Sequence, residues 1–160
     1  MTTPFAVQVG DERTQLTAFL EQYRELLPGV LDGLTEEQAR RRLVPSATTL
    51  LGLVKHVAFV ETVWFGLAVT GATRAELGLP ETVDESFALT DDDTVASVRR
   101  HYAQVCEHSR AAVAALGLDD TVTGRGYPIT VRWLLLQVMR ELAHHSGHAD
   151  ILREQVLAAG

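Results

Sequence analysis

Apolar residues recur every three or four positions over four long stretches of the chain, which is the spacing of one face of an α-helix. The first predicted helix begins at Asp11, a residue type that caps helices, and continues to about Leu27. Its apolar stripe consists of Leu16, Phe19, Leu20, Tyr23 and Leu27. We expect Pro28-Gly29 to bend or end this helix, because proline lacks the amide hydrogen that a helix interior uses.

A short helix is predicted next, from Glu36 to Leu43. Thr35-Glu-Glu-Gln38 has the form of a capping box, in which the threonine and glutamine side chains each bind the other's backbone amide. The segment also carries a run of three arginines, Arg40, Arg41 and Arg42. We interpret this run as a solvated face of the short helix.

The second long helix begins at Thr48 or Thr49 and runs to about Val69. Its apolar stripe contains one imidazole and consists of Leu53, His56, Val60, Val63 and Leu67. His56 is therefore predicted to lie on the buried side of this helix. Residues 71–89 follow as a polar connection with glycine and proline, and connections of this length are often functional or mobile.

The third long helix is predicted to begin at Thr90-Asp-Asp-Asp93, because a threonine cap followed by acidic residues favours a helix N-terminus. It runs to about Leu116. Residues 119–128 form a loop, after which Thr130 caps the fourth long helix, which continues through about Leu157.

Four long amphipathic helices and one short helix, without convincing strand alternation, predict an all-α fold of the four-helix-bundle type. The long connection after the second helix gives room for a crossing of the bundle. No internal repeat or low-complexity segment marks a boundary, so residues 1–160 are expected to form a single domain with a sizeable core.

The charge balance narrows the range of partners. A formal net charge of −7 argues against nucleic acid, whose phosphates require a surplus of Lys and Arg, and against docking on an anionic membrane surface. The longest apolar runs are each interrupted by charged or polar residues, so neither is predicted to span a membrane. The interrupting residues are Lys55, His56 and Glu61 in one run and Arg132, Gln137 and Arg140 in the other.

Two further features predict a cytoplasmic location. The N-terminus lacks a basic flank and an apolar signal core. Cys106 is the single cysteine and cannot form an internal disulfide, which is typical of a reducing compartment. No base is in view beside Cys106, so we expect it to be a small core residue rather than a nucleophile.

The segment from Glu141 to His148 places one carboxylate and three imidazoles within eight residues of the fourth helix. On a helix, Glu141, His145 and His148 fall within roughly 60° of one another and form a stripe of candidate metal ligands. Metal sites in bundles are built from inward side chains of facing helices, and His56 is the candidate ligand from the second helix.

Other interpretations of these residues remain open at this point. His144 and His148 form a competing pair with the same four-residue spacing. A buried histidine is also commonly a hydrogen-bonded core residue, and a histidine-rich helix can be exposed. The carboxylate of Glu141 among apolar neighbours is costly to bury unless it binds metal or pairs with Arg140 or Arg153. The two histidines of the third helix are expected at the surface.

Two segments resemble the DinB-like superfamily. Residues Thr49–Ala58, with Glu61 and Trp64 following, resemble the second-helix motif, and Thr130–Glu154 resembles the fourth-helix motif. The actinobacterial branch of this superfamily carries a Glu-x-x-x-His-x-Gly-His-Ala-Asp-x-x-Arg-Glu string. The matching residues are Glu141, His145, Gly147, His148, Ala149, Asp150, Arg153 and Glu154.

The resemblance implies a DinB-like bundle that holds a divalent metal, commonly zinc or nickel. Many members use a second-helix His and a His-x-x-x-His pair on the fourth helix, whereas the mycothiol-dependent maleylpyruvate isomerase has Glu-x-x-x-His. His56, Glu141 and His145 are similar to the latter ligand set. His148 falls where relatives often have Gln, so it is expected to be a fourth ligand or a neighbour that shuttles a proton.

Thiol chemistry is the function that the resemblance implies: transfer of mycothiol, bacillithiol or glutathione to a small electrophile, or a thiol-dependent isomerisation. A divalent cation with an open position lowers the pKa of a bound thiol, which makes this chemistry reasonable. A hydrolase that activates water would need the same geometry. The alternative from another class is a non-catalytic metal-binding or stress-response bundle. Apolar residues on several helices would support a homodimer in either case.

Overall fold

Four long helices pack around one continuous apolar core in the computed structural model, which describes residues 3–159. The helices within that range are α1 (Glu12–Gly29), α2 (Glu36–Arg40), α3 (Leu50–Thr70), α4 (Val95–Val113) and α5 (Val131–Ala158). Short 3-10 helices lie at Pro4–Ala6 and Asp84–Phe87. α1 packs mainly on α5, and α3 packs on both α4 and α5. The predicted all-α bundle with one short extra helix is confirmed.

Side chains that accept a backbone hydrogen bond define the helix N-termini. Asp11, Thr49, Thr94 and Thr130 each accept from the amide three residues further on, at the first turns of α1, α3, α4 and α5. Thr35 forms the predicted capping box at the start of α2. These short-range contacts explain why the beginnings of α1, α2, α3 and α5 could be predicted closely.

The predicted start of α4 at Thr90-Asp-Asp-Asp93 is wrong. The Asp93 carboxylate accepts from the Thr90 amide at 2.7 Å and from the Thr90 hydroxyl at 3.0 Å, which closes a turn before the helix. The same carboxylate binds Lys55 Nζ of α3 at 2.8 Å. Thr94 is therefore the cap, and α4 ends at Val113, earlier than expected.

The arginine run of α2 holds backbone carbonyls, so its interpretation as a solvated face is wrong for Arg40. The Arg40 guanidinium donates to the Thr90 carbonyl at 2.7 Å and also to the Asp93 carbonyl, which ties α2 to the segment before α4. Arg42 donates to the Val44 carbonyl at 3.3 Å. The backbone turns extended at Arg41 (φ −65°, ψ 127°), so α2 ends at Arg40 rather than at Leu43.

A small hairpin interrupts the predicted loop before α5. Strand β1 (Thr121–Val122) pairs antiparallel with β2 (Ile129–Thr130). Two residues are too few for an alternating pattern, so sequence periodicity could not reveal these strands. The turn between them approaches α3 closely: a Cβ on Gly124 would clash with the Leu67 carbonyl oxygen, so a side chain there would force the hairpin away.

α3 packs on both α4 and α5 and carries the buried His56. Its residues Thr62–Leu67 form a stretch of π-helix. By length and composition α3 would also suffice to cross a membrane, with a mean hydropathy of 1.5 over its apolar window. However, 67% of that window is buried inside the bundle, as expected for the core helix of a folded domain.

Candidate metal centre

His56 of α3 and His145 of α5 meet between the two helices. Their Nε2 atoms lie 3.2 Å apart, and the ring planes are inclined at 76°. Only 4% of His56 and 9% of His145 is exposed. The structure thus brings together two of the residues that were proposed as ligands from different helices.

Glu141 lies one turn before His145, with its Oε2 3.9 Å from His145 Nε2. Its other oxygen, Oε1, accepts from Gln137 Nε2 at 2.7 Å and from Arg140 Nη2 at 2.8 Å. The side chain keeps 24% exposure, so it is less buried than its apolar neighbours suggested. Of the two expected partners Arg140 is confirmed, whereas Arg153 binds backbone carbonyls of the α1–α2 connection.

The spacing of the two imidazoles is compatible with one shared cation. Two nitrogen ligands at about 2.1 Å from a metal lie about 3.0 to 3.4 Å apart for octahedral to tetrahedral angles. The observed 3.2 Å falls in that range. Within residues 3–159, however, no three His, Cys, Asp or Glu side chains are close enough together to form a complete metal site. The ligand set His56, Glu141 and His145 therefore stays a prediction, and it requires Glu141 to move closer.

His148 and His144 lie on the exposed part of α5, outside the buried imidazole pair. The His148 ring is centred 5.8 Å from the His145 ring and 4.3 Å from the His144 ring. His148 also lines a cleft of about 260 Å³ between α5 and residues 44–48. Its role as fourth ligand or proton shuttle stays a prediction. The expectation that His101 and His108 lie at the surface is confirmed.

Burial lowers the pKa of both buried imidazoles. The pKa of His56 falls from 6.5 to about 3, chiefly because burial disfavours the charged ring and secondarily because of His145. The pKa of His145 falls from 6.5 to about 4, again chiefly through burial, although the charge of Glu141 opposes the shift. Both rings are thus neutral at pH 7, which is the state that binds metal.

Sequence reasoning missed two residues that contact His56. The Ser86 hydroxyl lies 2.6 Å from His56 Nδ1, and the Phe87 ring stacks on the imidazole with centroids 3.9 Å apart. Both belong to the long connection after α3, whose length was the only signal. The carbonyl of Phe87 docks against Gly52, where a Cβ would lie 2.7 Å from its oxygen. Glycine at position 52 is therefore what allows this approach.

The single cysteine lies outside the centre. Cys106 is buried on α4. Burial, with the nearby charge of Glu61 adding to it, raises the pKa of its thiol to about 12. The prediction that Cys106 is a core residue is confirmed, because a thiol with this pKa supplies little thiolate at neutral pH.

A family model described as mycothiol-S-transferase matches residues 15–158. The chain belongs to the mycothiol S-transferase family. The match spans both helices that carry the buried imidazole pair, and it confirms the resemblance to DinB-like proteins. Family membership supports a mycothiol-related transferase function in general terms and implies a thiol as substrate.

A solved structure supports the fold of this mycothiol S-transferase family member. It is that of a DinB-like protein from Bacillus cereus ATCC 10987, with a TM-score of 0.60 and 19% sequence identity. The similarity covers 87% of this chain and 91% of that chain. At this identity the likeness establishes the fold alone. No match was found among curated proteins.

Proposed function

We propose that the chain transfers a low-molecular-weight thiol, mycothiol in the first instance, to a small electrophile at the centre formed by His56, His145 and Glu141. One observation carries this proposal. Two buried imidazoles face each other at 3.2 Å beside a carboxylate, in a chain of the mycothiol S-transferase family.

The donor set suits a divalent cation, zinc or nickel. His56 and His145 would bind through Nε2 and Glu141 through Oε2. Three protein ligands leave an open coordination position, which is typical of catalytic sites. A cation bound there would lower the pKa of a thiol and so supply thiolate at neutral pH.

Residues beyond the centre, on α5 and in the segment before α3, would handle the substrates and the proton. His148, exposed beside the cleft of about 260 Å³, would accept the thiol proton and release it to solvent. Ile151 and Leu152 give that cleft an apolar wall for the electrophile, and Ser46 and Thr48 give it polar groups. In the transfer, the sulfur forms a bond to the electrophilic carbon, and the leaving group departs with its electron pair.

The proposal is tested by metal analysis beside a thiol-conjugation assay. We expect one equivalent of metal in the wild type and in the His101→Ala control, whose side chain is exposed. His56→Ala and Glu141→Ala should lose metal and activity together. Unchanged metal content in both variants would exclude the ligand set.

The substrate is tested with a panel of mycothiol, bacillithiol and glutathione against a model electrophile. We expect mycothiol to react fastest, with His148→Gln lowering the rate while retaining metal. Full metal occupancy with no reaction of any thiol would instead support the alternative function, a non-catalytic metal-binding bundle.

A further inference from the structure

Ser86 contacts the side of the His56 ring that faces away from His145. Its Oγ lies 2.6 Å from His56 Nδ1, while His56 Nε2 faces His145 at 3.2 Å. Ser86 is itself only 3% exposed. The hydroxyl is also 2.5 Å from the carbonyl oxygen of Val83, to which it donates. His56, Ser86 and Val83 therefore form a short chain of hydrogen bonds.

The donor and the acceptor in each of these hydrogen bonds follow from the number of protons available. A serine hydroxyl has one proton, and a backbone carbonyl can only accept. The proton of Ser86 is used on Val83, so Ser86 Oγ must accept from His56 Nδ1. A neutral imidazole carries a proton on one nitrogen only. His56 Nε2 is therefore left with a free lone pair directed at His145.

The tautomer of His145, the second imidazole, is determined differently. Because His56 Nε2 carries a lone pair, the contact of 3.2 Å requires His145 Nε2 to donate its proton. His145 Nδ1 is then unprotonated, and it is buried without a hydrogen-bond partner in the part of the chain that the structure describes. Of the two rings, only His56 thus has its tautomer fixed by a hydrogen bond on the side that faces away from the centre.

The turn that carries Ser86 is itself held in place. The Thr82 amide donates to the Glu85 carboxylate at 3.1 Å, and the Glu85 amide donates to the Thr82 hydroxyl at 3.2 Å. Phe87 stacks on the His56 ring with an interplanar angle of 12°. The reciprocal bonds and the stacking fix the position of the hydroxyl relative to the imidazole.

We propose that Ser86 is a positioning residue, which holds His56 in the Nδ1–H tautomer and so presents a free Nε2 to the centre. This inference rests on the proposed function in one respect only, namely that the free Nε2 lone pair binds the cation. The tautomer itself is a property of the metal-free chain. Ser86 acts through His56 and touches no substrate.

The tautomer is read directly from long-range ¹H–¹⁵N spectra of metal-free protein with ¹⁵N-labelled histidine. We expect wild-type His56 to show a protonated Nδ1 and a bare Nε2. Ser86→Ala should shift the ring toward the Nε2–H form, and Ser86→Thr, which restores a hydroxyl, should return it. The control Ser109→Ala removes an equally buried hydroxyl on α4 and should change nothing at His56.

Metal titration gives a second readout. We expect Ser86→Ala to lower zinc affinity by about 10- to 100-fold, as loss of a hydrogen bond behind a histidine ligand usually does. Ser109→Ala should keep the wild-type affinity. If Ser86→Ala does not fold, Ser86→Cys gives a weaker hydrogen-bond partner of similar size and is read in the same way.

A wild-type His56 protonated at Nε2, or a Ser86→Ala spectrum with Nδ1 still fully protonated, would overturn this inference. Failure of the proposed function looks different. In that case the wild type either binds no zinc or binds zinc without reacting with any thiol, while the tautomer pattern of His56 and its response to Ser86→Ala are still observed.

Discussion

Glu61 of α3 and Arg24 of α1 form a buried ion pair with two parallel hydrogen bonds, of 2.8 Å at Nε and 2.7 Å at Nη2. Glu61 is 0% exposed and Arg24 is 6% exposed. Because Glu61 follows His56 by five residues, the two side chains point about 140° apart on the helix. The ion pair therefore fixes α3 from a different side than the contacts around His56.

Replacing one residue of this ion pair should lower the stability of the fold more than replacing both. We expect Glu61→Gln or Arg24→Ala to lower the free energy of unfolding by about 3 to 5 kcal/mol, because Arg24→Ala leaves the buried Glu61 carboxylate without its partner and Glu61→Gln leaves the buried guanidinium with Glu21 alone. The double variant Arg24→Met with Glu61→Leu should cost clearly less. Urea unfolding of the three variants measures this, with the exposed Arg100→Ala as control. Equal or additive losses would contradict the expected coupling.

Acid should destabilise the metal-free protein through the two buried imidazoles. The pKa of each is lowered by burial, from 6.5 to about 3 for His56 and about 4 for His145. Between these values the unfolded chain binds more protons than the folded chain, so stability falls as the pH falls from 6.5 toward 4. Each ring contributes at most about 1.4 kcal/mol per pH unit.

Denaturant unfolding at several pH values between 4.5 and 7 checks this expectation. The partly buried carboxylate of Glu21, whose pKa burial raises but Arg110 and Arg24 lower on balance, loses its contribution only below that window. His145→Gln should flatten the dependence, and exposed His108→Gln should leave it as in the wild type. A wild type equally stable at pH 4.5 and 7 would disprove buried neutral imidazoles.

The candidate ligands could be predicted because their relationships are local. Glu141 and His145 share a face through the four-residue helical spacing, and His56 is placed by the apolar stripe of its own helix. The caps at Thr49 and Thr130 involve amides only three residues away. Such features depend on backbone geometry that any long helix supplies.

The wrong predictions concern features that depend on a residue far away along the chain. Thr90 and Thr94 are both suitable caps, and the engagement of Asp93 with Lys55 of α3 separates them. Likewise, nothing local distinguishes Glu61, which is fully buried against Arg24, from the partly exposed Glu141. Because pairing across the bundle depends on the packed fold, spacing along the chain could not indicate it.

Glycine at position 52 should be required for metal affinity as well as for stability. A Cβ there would lie 2.7 Å from the Phe87 carbonyl oxygen, which is backbone and cannot rotate away. Gly52→Ala should therefore displace the turn that carries Ser86 and Phe87. We expect a loss of about 1 to 3 kcal/mol in unfolding free energy and weaker zinc binding.

Gly147→Ala on α5 is the matched control for Gly52→Ala. Apart from its chain neighbours and the adjacent backbone of α5, no atom of residues 3–159 lies within 4 Å of the added Cβ at position 147. Alanine also favours a helix interior by up to about 1 kcal/mol over glycine. We expect this variant to be as stable as the wild type or more so, with unchanged zinc affinity. Thermal unfolding and zinc titration distinguish the two substitutions, and similar effects of both would refute the docking role of Gly52.

The two hydrogen bonds to Glu141 should differ in their effect on metal binding. Gln137 donates to Oε1 at 2.7 Å from a partly buried position, whereas Arg140 donates at 2.8 Å from a side chain that is 71% exposed. Solvent-exposed ion pairs contribute about 0 to 1 kcal/mol, because water and salt screen them.

Gln137→Ala should therefore lower zinc affinity by about tenfold, as loss of a bond that orients a carboxylate ligand does. Arg140→Ala should lower zinc affinity less, and raising the ionic strength should abolish that smaller difference. Competition with a colorimetric chelator at low and high salt measures both affinities. A larger loss in Arg140→Ala at high salt would mean that Arg140, rather than Gln137, holds the carboxylate toward His145.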